Sequence, residues 1–199
     1  MLKIVRAVKA LLIAVLALLV LDSTVANAAC DLSVTTAGAT DVTRQLSDSD
    51  TAAITAAAAA GGDITTCDVS GVTDMTHLFY NLGSFDQDIG GWDTSRVTSM
   101  SGTFRNARAF NQDIGAWNTS NVTNMVYLFE GASRFDQDIG GWNTSNVTQM
   151  YGVFKDASEF NQNIGGWDVS NVTSGYLMFS GASKFNGDIR SWNISKMQN

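Results

Sequence analysis

The 199-residue chain has no proline, one histidine and two cysteines. Without proline its turns must be punctuated by glycine, of which there are 18, and by Asn, Asp and Ser. The lone His77 and the pair Cys30 and Cys67 leave no metal-spaced His/Cys cluster and no Ser-His-Asp set. No phosphate-cradling glycine loop appears. Basic side chains are also scarce, and 12 Lys and Arg against 19 Asp and Glu give a formal charge of −7. That excludes nucleic acid as the natural partner, because phosphate binding needs a basic footprint. Together these shortages point away from an enzyme and away from a resident cofactor.

One long apolar run exists, and it lies at the N-terminus. Lys3, Arg6 and Lys9 precede an uninterrupted apolar stretch from Ala10 to Leu21, and Ala26-Asn27-Ala28 follows as a small-x-small cleavage site. Residues 1–28 therefore read as a secretory signal peptide. The run is shorter than the ~20 residues a spanning helix needs. Cleavage removes three basic residues and only Asp22, so the mature chain is more acidic still. In an oxidising compartment a Cys30–Cys67 disulfide is expected. The alternatives are a lipid anchor at Cys30, for which Asn27 is a poor match, and two free thiols.

What the chain has in abundance is order at a period of 25. Phe85, Phe110, Phe135, Phe160 and Phe185 keep that step, and so do Trp92, Trp117, Trp142, Trp167 and Trp192. All five tryptophans belong to this column. Ile64, Ile89, Ile114, Ile139, Ile164 and Ile189 follow the same rule, as do Phe79, Phe104, Phe129, Phe154 and Phe179. A fixed period between 20 and 50 residues marks stacked units, each too small to bury its apolar face alone.

The spacing within a unit suggests its shape. Val97, Met100, Phe104 and Ala107 step by 3, 4 and 3, one face of a short helix, with Ser95 placed as its N-cap. The set recurs at Val122 and at Val147. A short strand fits around Trp92-Asp93-Thr94, and Gly90-Gly91 marks a bend or close backbone approach. The expected fold is thus an α/β solenoid, a leucine-rich-repeat-like stack of strand-plus-helix coils. Its domains read as the leader at 1–28, an N-terminal cap at 29–60 and five to six coils at 61–199. The cap is expected to contain an alanine-rich helix, with acids before it and Gly61-Gly62 closing it. No cap is evident after the last coil, which leaves end-to-end self-association open.

Residues 110–132, FNQDIGAWNTSNVTNMVYLFEGA, closely resemble the repeat of the BspA-type leucine-rich-repeat surface proteins, and the likeness covers about residues 64–197. The resemblance implies a secreted or cell-surface protein of bacteria or unicellular eukaryotes, with adhesion to host or matrix proteins in some members. It implies no catalytic residue.

Candidate sites then fall into two groups. Asp88, Asp113 and Asp138 share a column about 4.8 Å apart, close enough for oxygen ligands to hold Ca²⁺ between coils; turn and ladder hydrogen bonds are the alternative. Positions that vary between units form the second group: Tyr80, Arg105, Glu130 and Lys155 in one register, Arg134, Glu159 and Lys184 in another. A constant scaffold with a variable rim is how repeat stacks make binding surfaces. The expected partner is an extracellular or cell-surface protein, or a glycan, and contact with membrane is expected only through the leader or a lipid at Cys30.

Overall fold

The computed structural model describes Cys30, Leu32 and residues 45–198; residues 1–28, expected to be a leader, and most of the segment before Gln45 lie outside the described residues. From Asp63 onward the chain runs as successive 25-residue coils laid in register. Parallel bridges join Asp74 to Ser99, Ser99 to Asn124, Asn124 to Gln149, Gln149 to Ser174 and Ser174 to Gln198. The repeated columns all point into the stack. Phe85, Trp92, Phe110, Trp117, Phe135, Trp142, Phe160 and Trp167 are each buried. The Phe104 ring stacks on Phe110 at 4.1 Å between centroids and on Phe129 of the next coil at 5.5 Å. Each such ring contributes roughly 1.5–3 kcal/mol by leaving water.

Every tryptophan also satisfies its polar atom in the same way. The indole N–H of Trp117 donates to the Ile89 carbonyl at 3.1 Å, and Trp142, Trp167 and Trp192 do the same to Ile114, Ile139 and Ile164. Buried indole is thereby paired with a buried carbonyl, which removes the main cost of placing tryptophan in a core.

The helix expected in each coil does not form. Among the described residues the single α-helix is α1, Thr51–Ala60, preceded by a 3-10 turn at Asp48–Asp50. In the coils the segment from Met75 to Leu82 is a run of turns with two kinds of N–H. Those of Met75, His77, Phe79 and Asn81 donate to the carbonyls of Ser99, Ser101, Thr103 and Arg105 in the following coil. Those of Leu78, Tyr80 and Leu82 close turns onto Met75, His77 and Phe79. Later coils repeat this alternation. Past its first turn an α-helix keeps its N–H groups inside its own segment, whereas Phe79 and Asn81 here donate theirs to the next coil, so linking the coils by backbone bonds is incompatible with a helix. Positive φ at His77 and Asn81, and at each equivalent pair through Leu177 and Gly181, breaks the right-handed path twice per coil. The 3-4-3 spacing is real, since Val97, Met100, Phe104 and Ala107 are all fully buried, but it arises from linked turns.

Two related expectations change with it. Ser95, Ser120, Ser145 and Ser170 are not helix caps; their N–H groups donate to the side chains of Asp93, Asn118, Asn143 and Asp168 in Asx turns. No strand forms at Trp92-Asp93-Thr94, because the inter-coil pairing sits later, at Ser99 and its equivalents. The glycine two residues before Trp92, Trp117, Trp142 and Trp167 is required for close approach. A Cβ at Gly115 would stand 2.6 Å from the Asp138 carbonyl oxygen of the next coil.

The N-terminal cap occupies the register of a preceding coil. Ser47 bridges to Gly71, and the Leu46 N–H donates to the Asp68 carbonyl. Helix α1 turns Ile54, Ala57 and Ala58 onto the first coil, and the Thr55 hydroxyl donates to the Leu78 carbonyl at 2.7 Å. Gly61 in the left-handed conformation ends the helix. Cys30 and Cys67 form a disulfide that fixes the cap to the position where later coils carry tryptophan. The Asp48 carboxylate accepts from the Thr73 N–H and hydroxyl, both at 2.6 Å, and from the Asp74 N–H at 3.0 Å. At the other end Phe179, Phe185, Ile189 and Trp192 are half-buried.

Candidate functional site

The outward side of the linked turns carries three adjacent columns. One reads Thr76, Ser101, Val126, Tyr151, Tyr176; the next reads His77, Gly102, Tyr127, Gly152, Leu177; the third reads Tyr80, Arg105, Glu130, Lys155, Ser180. The chain has four tyrosines and one histidine, and all five lie in this strip. The sequence singled out Tyr80, Arg105, Glu130 and Lys155. It missed His77 as a member, and Tyr127, Tyr151 and Tyr176 altogether. Writing out the two neighbouring columns would have found them.

At the centre of the strip Glu130 is 8 % exposed. Its carboxylate pairs with Arg105 on the preceding coil and with Lys155 on the following one, where the ammonium stands at 2.8 Å. Lys155 also meets Asp156 at 3.0 Å. Hydrogen bonds to Glu130 first, and to Asp156 second, raise the Lys155 pKa far above its ordinary value. A buried carboxylate between two cations is fixed in place, since moving either partner leaves a charge unpaired. The Arg105 guanidinium lies 4.6 Å from the Tyr127 ring centroid and 5.6 Å from that of Tyr80. Tyr127 meets Tyr151 edge-on at 5.0 Å, and Tyr151 meets Tyr176 at 5.7 Å. A hydrogen bond with Tyr127 raises the Tyr151 phenol pKa. Tyr80 and Tyr176 are 39 % and 54 % exposed, which makes them the available rings at the two ends.

The second variable register lies on a different loop. Glu159 pairs with Lys184 in the open, and Arg134 is exposed. With Asn111, Ser133, Asp136 and Ser158, Arg134 and Glu159 line a shallow depression of about 520 Å³. Its walls are polar, and it holds no aromatic ring.

The aspartate column is committed to local turns. Asp88, Asp113 and Asp138 accept the N–H groups of Gly90, Gly115 and Gly140. Among the described residues no three His, Cys, Asp or Glu side chains converge to hold a metal ion. The flanking ladder, Asp86 to Asn111 to Asp136 to Asn161 to Asn186, passes a side-chain oxygen to the next coil's N–H at each step. Among the described residues no helix is long and apolar enough to cross a membrane.

Comparison with family models matches residues 49–148 and 113–199 to the family described as Mycoplasma protein of unknown function, DUF285. No curated protein and no solved structure matches the chain.

Proposed function

We propose, from the premise that this chain belongs to the DUF285 family, that it is a secreted or cell-surface solenoid that recognises an extracellular partner through the tyrosine-rich strip, without catalysis. One observation carries this reading: every tyrosine and the sole histidine share one surface, around a fixed Arg105-Glu130-Lys155 set. Tyrosine and arginine are enriched at the energetic centres of interfaces: tyrosine brings large contact area at low entropic cost, and arginine brings a planar, multi-donor group on a long stem whose ordering is costly. Ion pairing at the centre lowers that cost further by pre-ordering two long side chains. The BspA-type likeness of the repeat and the leader-like N-terminus support an extracellular setting, and adhesion is the activity they suggest.

The experiment is binding of labelled mature protein to intact cells and to immobilised extracellular-matrix proteins. Saturable binding that falls when Tyr80 and Tyr176 are both replaced by alanine is expected. Binding that is absent throughout, or unchanged in the double variant, overturns the reading.

A further inference from the structure

We infer that the strip is a stacking platform for an uncharged polysaccharide lying along the axis of the coils. The inference rests on the reading of the strip as a recognition surface, and it adds the chemistry of what is recognised.

The first support is the column His77, Gly102, Tyr127, Gly152, Leu177. All five residues have φ between 56° and 60°. Backbone conformation alone would explain glycine at such positions, yet His77, Tyr127 and Leu177 hold the same φ with full side chains. Glycine at 102 and 152 therefore has another cause, and the neighbouring coils supply it. A Cβ at Gly102 would overlap Cδ2 of the His77 ring, and one at Gly152 would stand 2.8 Å from Cδ1 and Cε1 of Tyr127. Each ring leans along the stack into the space its neighbour leaves empty. The alternation of ring and glycine lays aromatic surface lengthwise instead of letting it project.

The second support is extent. His77 and Tyr80 sit 5.2 Å apart on the first coil, and Tyr127, Tyr151 and Tyr176 carry the aromatic surface to the fifth. At a coil spacing of about 4.8 Å the strip is on the order of 20 Å long. That suits a chain-like ligand more than a compact one.

Charge is the third. The chain is acidic overall, but the strip's cations Arg105 and Lys155 are already matched by Glu130 and Asp156. Neither an anionic nor a cationic polymer finds an unpaired counter-charge in this set. What remains are ring faces and hydroxyl groups. The electron-rich ring face attracts the weakly positive C–H face of a sugar ring, while Tyr176 and Ser180 present exposed hydroxyls to its oxygens. A peptide strand fits less well. The N–H groups of residues 77, 79, 102, 104, 127, 129, 152 and 154 are spent on the next coil's carbonyls, so that stretch offers no free edge for strand addition.

The test is affinity electrophoresis of the mature chain in gels containing xylan, mannan or a soluble β-glucan, with alginate as the anionic control. Retardation by at least one neutral polysaccharide and not by alginate is expected. Tyr176→Ala should weaken it about five- to tenfold, the size of one lost ring contact. Gly152→Ala should weaken it similarly and also lower the melting temperature, because the added Cβ meets the Tyr127 ring at a residue of positive φ. No retardation in any neutral gel, or equal retardation of Tyr176→Ala, overturns the inference. Whole cells separate this from the broader reading. If cell binding is lost in the tyrosine double variant but survives periodate oxidation of the cells and is abolished by protease, recognition by the strip stands and the sugar ligand falls. If the double variant binds cells as well as the parent does, both fall.

Discussion

From Met75 to Leu82, and in each later copy of that segment, the chain turns one set of side chains inward and another outward. The inward set hardly changes: phenylalanine at 79, 104, 129, 154 and 179, and methionine at 75, 100, 125 and 150. The outward set changes at almost every step, from Tyr80 to Arg105, Glu130, Lys155 and Ser180. Both sets hang from the same hydrogen-bonded backbone, with the same alternation of N–H groups and the same positive φ. Backbone geometry therefore does not decide which positions vary. Each inward side chain must fit against its own copy one coil away, because packing tolerates little change of volume. An outward side chain meets its neighbours across only part of its surface.

If the two sets differ in this way, replacements should separate them by size of effect. Phe129→Ala removes a ring stacked on Phe104, Phe135 and Phe154 and should cost about 3–5 kcal/mol in chemical denaturation. A loss below about 1 kcal/mol would break the comparison at its strongest point. Cys67→Ser opens the link between the cap and the first coil across 37 residues. It should cost about 2–4 kcal/mol, and free-thiol titration of the unreduced parent should find none. On the outer side the exception is Glu130. Glu130→Ala leaves Arg105 and Lys155 without their shared counter-charge and should cost about 1–3 kcal/mol, more than any other outward position. That would show that the outer set has one buried member.

The smallest effect concerns Asp48 and its pH dependence. Burial works to raise its pKa, but hydrogen bonds from Thr73 and Asp74 outweigh this and hold it below the usual carboxylate value. A lowered folded-state pKa contributes stability that is complete above the unfolded-state value, near 3.9, and is lost as pH falls through the lower folded-state value. Asp48→Asn should therefore cost on the order of 0.5–1 kcal/mol at neutral pH, and the gap to the parent should close in acid. Melting curves between neutral pH and the acid limb check both parts. A gap that stays constant across that range would remove the ionised clamp from the account.

Much of this organisation is legible in the letters of the chain. The step of 25 gives the inward columns directly, because a residue that must fit its own copy is written identically each time. The disulfide and the alanine-rich cap helix are legible too, since both depart from the repeat where coils begin. The linked turns are not. Apolar residues at Val97, Met100, Phe104 and Ala107 carry a helical spacing, and nothing in their types reveals that Gly102 and Asn106 take positive φ. Tyr127 and Leu177 conceal the point further, because neither is a residue type that usually adopts positive φ. The strip is half legible. Variation at 80, 105, 130 and 155 is visible in one register, but Tyr127, Tyr151 and Tyr176 are scattered over two others and join it only when the coils stack.

The division between inward and outward sets is tested most directly by melting a variant in which Tyr80, Tyr151 and Tyr176 are all replaced by serine. Those positions are predicted to bind and not to hold the fold, so the melting temperature should stay within about 3 °C of the parent while binding to cells is lost. A drop as large as that of Phe129→Ala, or full binding by the triple variant, would contradict the account.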